Sequence, residues 1–394
     1  MARGIRDKVA IVGMGCTAFG EWWDKSATDL MVEAAFEAYD SAGIDPRQID
    51  ACWLGTLSSG NAGLFLSEPL KLDYIPVSRV ENFCASGSEA FRAACYAVAS
   101  GASDMAMALG VEKLKDSGYS GLTGSGGGSS DGTEPNISAP GSFALLAPAY
   151  FHKFGVNAET GKEVLARIAM KNHANGAKNP RAQYRKAVTM DQCKASPMVA
   201  APLGIMDCSG VSDGSAAAII VRADEAHKYT DKPIYVKGLA VAAGPGDGAF
   251  DPEYDFTTVR ENVRAAQLAY GEAGITHPRE EISLAEVHDC FTPTELVIYE
   301  DLGFSQRGQG WRDVLDGTFE LDGKLPVNPD GGLKSFGHPI GASGLRMIFE
   351  LWLQFRGEAG PRQLPNPRIG LTHNLGGRPW KCVAFVGLFG RERG

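Results

Sequence analysis

Apolar positions along this chain fall into two alternating patterns. Short, nearly unbroken apolar runs at residues 9–12, 51–54, 216–221, 234–236, 284–287 and 383–386 read as buried strands. Between them lie longer stretches with an alanine-rich face at helical spacing, and several of these stop at a glycine suited to cap a helix C-terminus. Strands alternating with helices of ordinary length imply parallel sheets covered on both faces.

The pattern occurs twice. Residues 34–44 (AAFEAYDSAGI) return as residues 265–275 (AAQLAYGEAGI). Each copy is followed by Pro, Arg and Ile, as Pro46, Arg47 and Ile49 or as Pro278, Arg279 and Ile282. Each then enters an apolar strand. Further on, Ala85, Ser86 and Gly87 open one long helix, and Ala342, Ser343 and Gly344 open another. The period is too long for a solenoid and reads as a duplicated set of βα units. The expected architecture is α/β, with two stacked halves forming α/β/α/β/α layers. The expected division is 1–230 and 231–394, with an inserted loop domain at about 114–198 in the first half.

Composition changes this picture little. Apolar residues make up 44% and charged residues 22%, as in ordinary globular proteins. The net charge of −9 argues against a nucleic-acid partner. No stretch is long and apolar enough to span a membrane, and neither a signal peptide nor a peroxisomal address is legible. Eight cysteines form no Cys-x-x-Cys pair, so a structural zinc site is not expected, nor any other metal. Reduced cysteines fit a cytoplasmic location. The insertion opens on a Gly/Ser-rich segment, 121–132. It then turns basic: Lys153, Lys162, Arg167, Lys171, Lys178, Arg181, Arg185, Lys186 and Lys194 face only Glu159, Glu163 and Asp191. A solvated helix face would explain this excess; so would a dock for a phosphate-rich ligand, with Lys178, Arg181 and Arg185 as its contacts.

The candidate chemistry centres on Cys84. A strand-like run meets a helix start there, where unpaired N–H groups and the helix dipole favour a thiolate. His338 lies in a glycine-rich turn, residues 328–344, at the place in the second repeat that Cys84 occupies in the first. It can take the Cys84 proton or donate to a thioester oxygen. His288 and Cys290 follow the strand at 284–287, and alternation lets both face one cleft. Ahead of the final strand, residues 373–377 (HNLGG) can offer backbone N–H groups to an oxyanion, with Asn374 and Gly376 as candidates. Two motifs carry little. Gly210-x-Ser212-x-Gly214 precedes a strand, whereas a hydrolase elbow needs strand then helix. Gly13 and Gly15 follow the first strand without the third glycine of a dinucleotide fingerprint.

Together these residues resemble the thiolase superfamily over essentially the whole chain, specifically the sterol-carrier-protein-type thiolases and their bacterial and archaeal relatives. Residues 82–87 (NFCASG) look like that family's nucleophile motif, and 337–339 (GHP) like its histidine motif. Residues 288–291 (HDCF) are similar to the motif that separates this branch from ordinary thiolases, which carry Asn-Glu-Ala-Phe. Residues 171–180 (KNHANGAKNP) are similar to its loop domain. The Cys-x-Gly motif of ordinary thiolases is absent, and the resemblance then gives the acid/base role to Cys290 rather than Cys382.

The resemblance implies ping-pong acyl transfer on a 3-oxoacyl-CoA, with coenzyme A as substrate or product and no permanently bound cofactor. Aromatic, branched, dicarboxylic and short acyl groups, benzoylsuccinyl-CoA among them, stay open. It also implies a small zinc-ribbon/OB-fold partner for which residues 121–140 are the candidate contact; a homodimer is expected separately, from the open sheet edge at residues 77–81. The alternatives are a decarboxylating or synthase-type condensing enzyme, an aldolase-like relative, and a non-catalytic acyl-CoA or lipid-binding scaffold. The retained Cys290 argues against the first, Cys84 against the second, and the intact set of four against the third.

Overall fold

The computed structural model describes residues 4–116, 137–246, 248 and 251–394. The Gly/Ser-rich segment 121–132 and residues 133–136 lie outside them. The first repeat runs β1 (Val9–Cys16), α1 (Ala27–Ala42), β2 (Ala51–Gly55), α2 (Leu64–Leu70), β3 (Val77–Val80), α3 (Ser86–Ser100) and β4 (Met105–Glu112). A helical insertion follows: α4 (Ala139–Ala144), α5 (Leu146–Lys153), α6 (Ala158–Gly176), α7 (Met190–Lys194) and a small hairpin, β5 (Met198–Ala200) with β6 (Leu203–Gly204). Then comes β7 (Gly214–Arg222). The second repeat runs β8 (Ile234–Ala243), α8 (Arg260–Ala273), α9 (Pro278–Glu281), β9 (Leu284–Glu286), α10 (Thr292–Asp301), α11 (Gly310–Leu315), α12 (Gly332–Ser335), α13 (Ser343–Arg356), β10 (Ile369–Arg378) and β11 (Lys381–Gly390).

Strand alternation builds the layers. Met105, Met107 and Leu109 of β4 pack with α1, while Ala106 and Ala108 pack with α3 on the other face. In β11, Ala384, Val386 and Leu388 join the core of α8; Val383, Phe385 and Phe389 join that of α13. The period of two in these strands therefore feeds one outer helix and one central helix each. The order is α1, first sheet, α3 with α13, second sheet, α8, which is the expected five layers. The two sheets are also hydrogen-bonded edge to edge. Ala10 pairs with Tyr235 and Ile11 with Ile234, giving one nine-stranded order, β3-β2-β4-β7-β1-β8-β11-β10-β9.

The repeats match element by element. Both α1 and α8 end on a glycine in the left-handed region, Gly43 (φ 66°) and Gly274 (φ 75°). The central helices do the same at Gly101 (φ 77°) and Gly357 (φ 79°). Gly13 and Gly15 lie inside β1, not in a turn after it. A Cβ on Gly15 would sit 2.1 Å from the Ala34 carbonyl oxygen, so these glycines let α1 lie close on the strand. Among the described residues no helix is long and apolar enough to cross a membrane.

Candidate active site

Cys84 sits one residue before the Ala85 N-cap of α3. The turn holding it is strained, because Phe83 has φ 49°, a region that bulky side chains avoid. Ser86 ties the turn together: the Asn82 N–H donates to its Oγ at 2.9 Å, and that hydroxyl donates to the Phe83 carbonyl at 2.6 Å. Glu112, fully buried at the end of β4, gathers the N–H groups of Leu57, Ser58, Ser59 and Gly341 and so fixes the loops around the site. Burial, then the charge of Glu112, pushes the Cys84 thiol up to about 12. The helix start does not by itself deliver a resting thiolate, which differs from the expectation drawn from sequence.

His338 precedes α13 in the matching place, and the two turns meet. A Cβ on Gly344 would lie 2.1 Å from Ser88 Oγ, and one on Gly87 would lie 2.5 Å from the Gly341 carbonyl. These absent side chains let the two central helices start side by side. His338 Nε2 is 3.2 Å from Cys84 Sγ, and His338 Nδ1 is 2.7 Å from Ser343 Oγ. Ser343 donates its only proton to the Pro339 carbonyl at 2.9 Å, so it accepts from Nδ1–H. The Nε2 lone pair is left facing the thiol. Burial, then the charge of Arg346, holds His338 down at about 3. The resting pair is therefore a neutral thiol against a neutral imidazole.

His288 and Cys290 follow β9 and complete the cluster. One ligand atom each from Cys84, His288 and His338 lie within 4.8 Å of one another. The His288 and His338 rings meet edge to face at 5.4 Å. His288 lines the cavity, and its Nδ1 is enclosed without a hydrogen-bond partner among the described residues. Burial, then His338, keeps His288 well below its ordinary value and hence neutral. Cys290 lies 3.8 Å from Thr294 Oγ1; burial, then the nearby Cys84, raises its thiol well above the usual value. Asp289, between them, accepts from Asn172 Nδ2 at 2.7 Å and from the N–H groups of Leu333 and Lys334 at 2.6 and 3.1 Å. One carboxylate thus joins the 288–291 turn, the loop leading to His338, and α6.

Residues 373–377 are strand, not turn: they lie within β10, and the chain reverses only after Arg378. Asn374 faces α3, where its Oδ1 accepts from Ser88 Oγ at 2.5 Å, so its side chain braces the nucleophile helix instead of the cavity. Gly376 does reach the nucleophile turn. A Cβ there would stand 2.2 Å from the Asn82 carbonyl and 3.2 Å from the Ala85 nitrogen.

Four of the nine basic residues of the insertion are taken up by internal ion pairs among the described residues. Lys171 binds Glu295 at 2.6 Å, Lys153 pairs with Asp255 and Arg167 with Glu320. Arg181 is a correction to the expected phosphate contacts. Its guanidinium holds Glu37 at 2.7 and 2.9 Å, bonds the Cys16 carbonyl and lies over Phe349. Lys178 and Arg185 are exposed and have no ion pair among the described residues.

Cys84, His288, Cys290 and His338 all line one cavity of about 680 Å³. Its walls also carry Phe143, Phe291, Met206 and Ile340, which suit an acyl group and a pantetheine arm. Sequence reading missed Ser343, His173, Tyr184 and Lys334. The one available signal was Lys334, a lone cation in the glycine-rich run 328–344.

Comparison with known proteins gives a consistent picture. A model of the thiolase N-terminal domain matches residues 9–224, and one described as thiolase C-terminal domain-like matches residues 248–386. An acetyl-CoA acetyltransferase of Methanothermobacter thermautotrophicus is 41% identical over 392 residues, covering 97% of this chain and 99% of that protein. The benzoylsuccinyl-CoA thiolase subunit BbsB of Thauera aromatica is 32% identical over 381 residues, covering 94% and 95%. Human sterol carrier protein 2 is 32% identical, covering 94% of this chain and 70% of that protein. Among solved structures, an Ltp2-ChsH2(DUF35) aldolase superposes with TM-score 0.82 at 24% identity and covers both chains fully. Human mitochondrial 3-ketoacyl-CoA thiolase superposes with TM-score 0.70 at 18% identity, covering 99% of this chain and 100% of the other. These two likenesses speak to the fold.

Proposed function

The chain belongs to the thiolase family and is an acyltransferase of the thiolase type, and we propose that it makes or breaks 3-oxoacyl-CoA esters through a thioester on Cys84. The observation that carries this reading is the 3.2 Å approach of Cys84 Sγ to the unprotonated Nε2 of His338, with His288 and Cys290 on the same cavity.

In the degradative direction, Cys84 gives its proton to His338 Nε2 and its sulfur attacks the 3-keto carbon. The backbone N–H groups of Cys84 and Gly376 are the candidates to hold the tetrahedral oxyanion. The bond between C2 and C3 breaks, and its electron pair becomes the enolate of the departing acyl-CoA. Neutral His288 and protonated His338 donate to that enolate oxygen, and the Cys290 thiol protonates C2. Incoming CoA gives its proton to the Cys290 thiolate and attacks the acyl group. Cys84 leaves and recovers its proton from His338. Condensation runs the same steps backwards. An aldolase route would need no nucleophilic thiol, and the Cys84–His338 pair favours the thioester route.

Two assembly features go with this reading. Strand β3 ends the nine-stranded sheet, and its open backbone groups suit pairing with a second copy across a two-fold axis. The relative named as a subunit, and the fold neighbour that is named together with a DUF35 protein, support a small zinc-ribbon/OB-fold partner. We place the protein in the cytoplasm. The test of function is intact-protein mass spectrometry after exposure to acetyl-CoA and a panel of longer acyl-CoA esters. An acyl mass gained by the native protein and absent from Cys84→Ala supports the reading; an equal gain in both removes it.

A further inference from the structure

Four lysines of this chain are buried among the described residues, and three have the partner that a buried cation requires. Lys113 binds Asp213 at 2.9 Å, Lys171 binds Glu295 at 2.6 Å and Lys237 binds Asp7 at 2.6 Å. The fourth, Lys334, is 3% exposed and has no carboxylate within ion-pair reach among the described residues. Among the described residues its Nζ hydrogen-bonds only with His173 Nε2, at 3.1 Å, and lies 5.8 Å over the Tyr184 ring. His173 Nδ1 faces the Lys186 carbonyl at 3.2 Å and donates there, which leaves Nε2 as the acceptor for the ammonium. A lysine ammonium has three donors, and the described residues engage one of them.

Lys334, His173 and Tyr184 all line the cavity that holds Cys84. Arg378 and Lys381 line it too, and no aspartate or glutamate does among the described residues. In a protein of net charge −9, the described residues lining this cavity thus include three cations and no carboxylate. Asp207 and Asp289 stand near Lys334, but their oxygens are taken by Thr292 and Gly204, and by Asn172 and the backbone.

We propose that Lys334, steadied by His173, seats a carboxylate carried on the acyl chain, so that the substrate is the CoA thioester of an acid with a second carboxyl group. The proposal rests on the acyl-CoA reading above and adds the class of acyl group. One ammonium beside a neutral imidazole, walled by Met206, Cys208 and Val211, matches a single negative charge. The more highly charged phosphates of CoA suit the wetter rim, where Arg185 stands exposed next to Tyr184.

The test measures binding by calorimetry on Cys84→Ala, which cannot turn over. The probes are succinyl-, glutaryl- and adipyl-CoA, their uncharged shape mimics 4-methylpentanoyl-, 5-methylhexanoyl- and 6-methylheptanoyl-CoA, and free CoA. At the best chain length the acid ester binds about tenfold or more tighter than its mimic, as expected for a charged hydrogen bond. Adding Lys334→Met removes that preference and leaves free CoA affinity unchanged, while Lys334→Arg keeps most of it. No preference at any chain length in the Lys334-intact protein overturns the proposal, and that measurement does not depend on a variant folding. An equal loss for all esters and free CoA also overturns it, assigning the lysine to a phosphate. The two readings fail separately: acetylation of native Cys84 without any preference for acid esters sinks only the subsite, and a preference without acylation sinks only the thioester mechanism.

Discussion

The Cys84 turn and the His338 turn occupy equivalent places in the two repeats, each just before a central helix, yet they are built for opposite tasks. The first is partly exposed and strained, with Phe83 at φ 49° and 53% exposed beside the nucleophile. The second is buried, threaded through Gly331, Gly332 and Gly337 in conformations that glycine tolerates, and pinned by Ser212 and Asp289. Duplication supplies two facing turns. Divergence then leaves strain and access on the Cys84 side and fixes the His338 side in place, as the proposed nucleophile and base require. A nucleophile has to approach carbon; its base has only to stay aligned.

The comparison breaks most sharply at the attacking turn. Cys84→Ala should abolish acyl-enzyme formation, read as a missing acyl mass, with CoA affinity nearly unchanged. On the opposing wall, Cys290→Ala should still be acylated by acetyl-CoA but lose carbon–carbon bond formation by about 10²–10⁴-fold, the usual range for removing an acid/base group. A Cys290→Ala protein that condenses at the native rate would leave the 288–291 turn without a proton-transfer role.

On the fixed side, His338→Ala should slow acylation by a similar factor. The pH dependence then distinguishes a neutral pair from a preformed ion pair. Burial raises Cys84 and lowers His338, so below the raised value the thiol keeps its proton, and below the ordinary histidine range His338 still stays neutral. Iodoacetamide alkylation of Cys84 in the free enzyme should therefore keep rising through pH 7 to 10, in step with hydroxide. A flat rate across pH 6 to 8 would mean a standing thiolate and would overturn the neutral-pair assignment.

These turns also mark what the sequence made legible. The repeats, the helix starts and the convergence of Cys84, His288, Cys290 and His338 follow from local pattern and duplication, which act over short distances. Arg181 was misplaced because a basic stretch does not disclose its partners, and nothing near Asn374 in the chain disclosed that its side chain lies on α3. Glu37 and Ser88, distant in the chain, decide what those two side chains do. The same blindness hid Lys334, which is buried and meets no carboxylate within ion-pair distance among the described residues. Gly376 was legible as a glycine of the site, and it does lie against the Cys84 turn, but its setting in β10 was not legible, since two glycines in a row read as a turn.

The smallest effect compares the two turns most directly, through equivalent serines. Ser86 bonds only its own turn, bridging Asn82 and Phe83. Ser343 bonds its turn at Pro339 and also fixes the His338 tautomer through Nδ1. Ser86→Ala should therefore act as loss of a local hydrogen bond, costing about 1 kcal/mol of stability with little change in the pH profile. Ser343→Ala should cost a similar amount of stability but also slow acylation about tenfold, because the imidazole can then place its proton on Nε2, facing the thiol, where it cannot accept. Ser343→Thr keeps the hydroxyl and should restore most of that rate. Thermal unfolding and single-turnover acylation, measured on the same three proteins, separate the two roles. Matching rates in Ser343→Ala and Ser86→Ala would mean that Ser343 is only a brace for its turn, and that the two sides differ less than the His338 geometry requires.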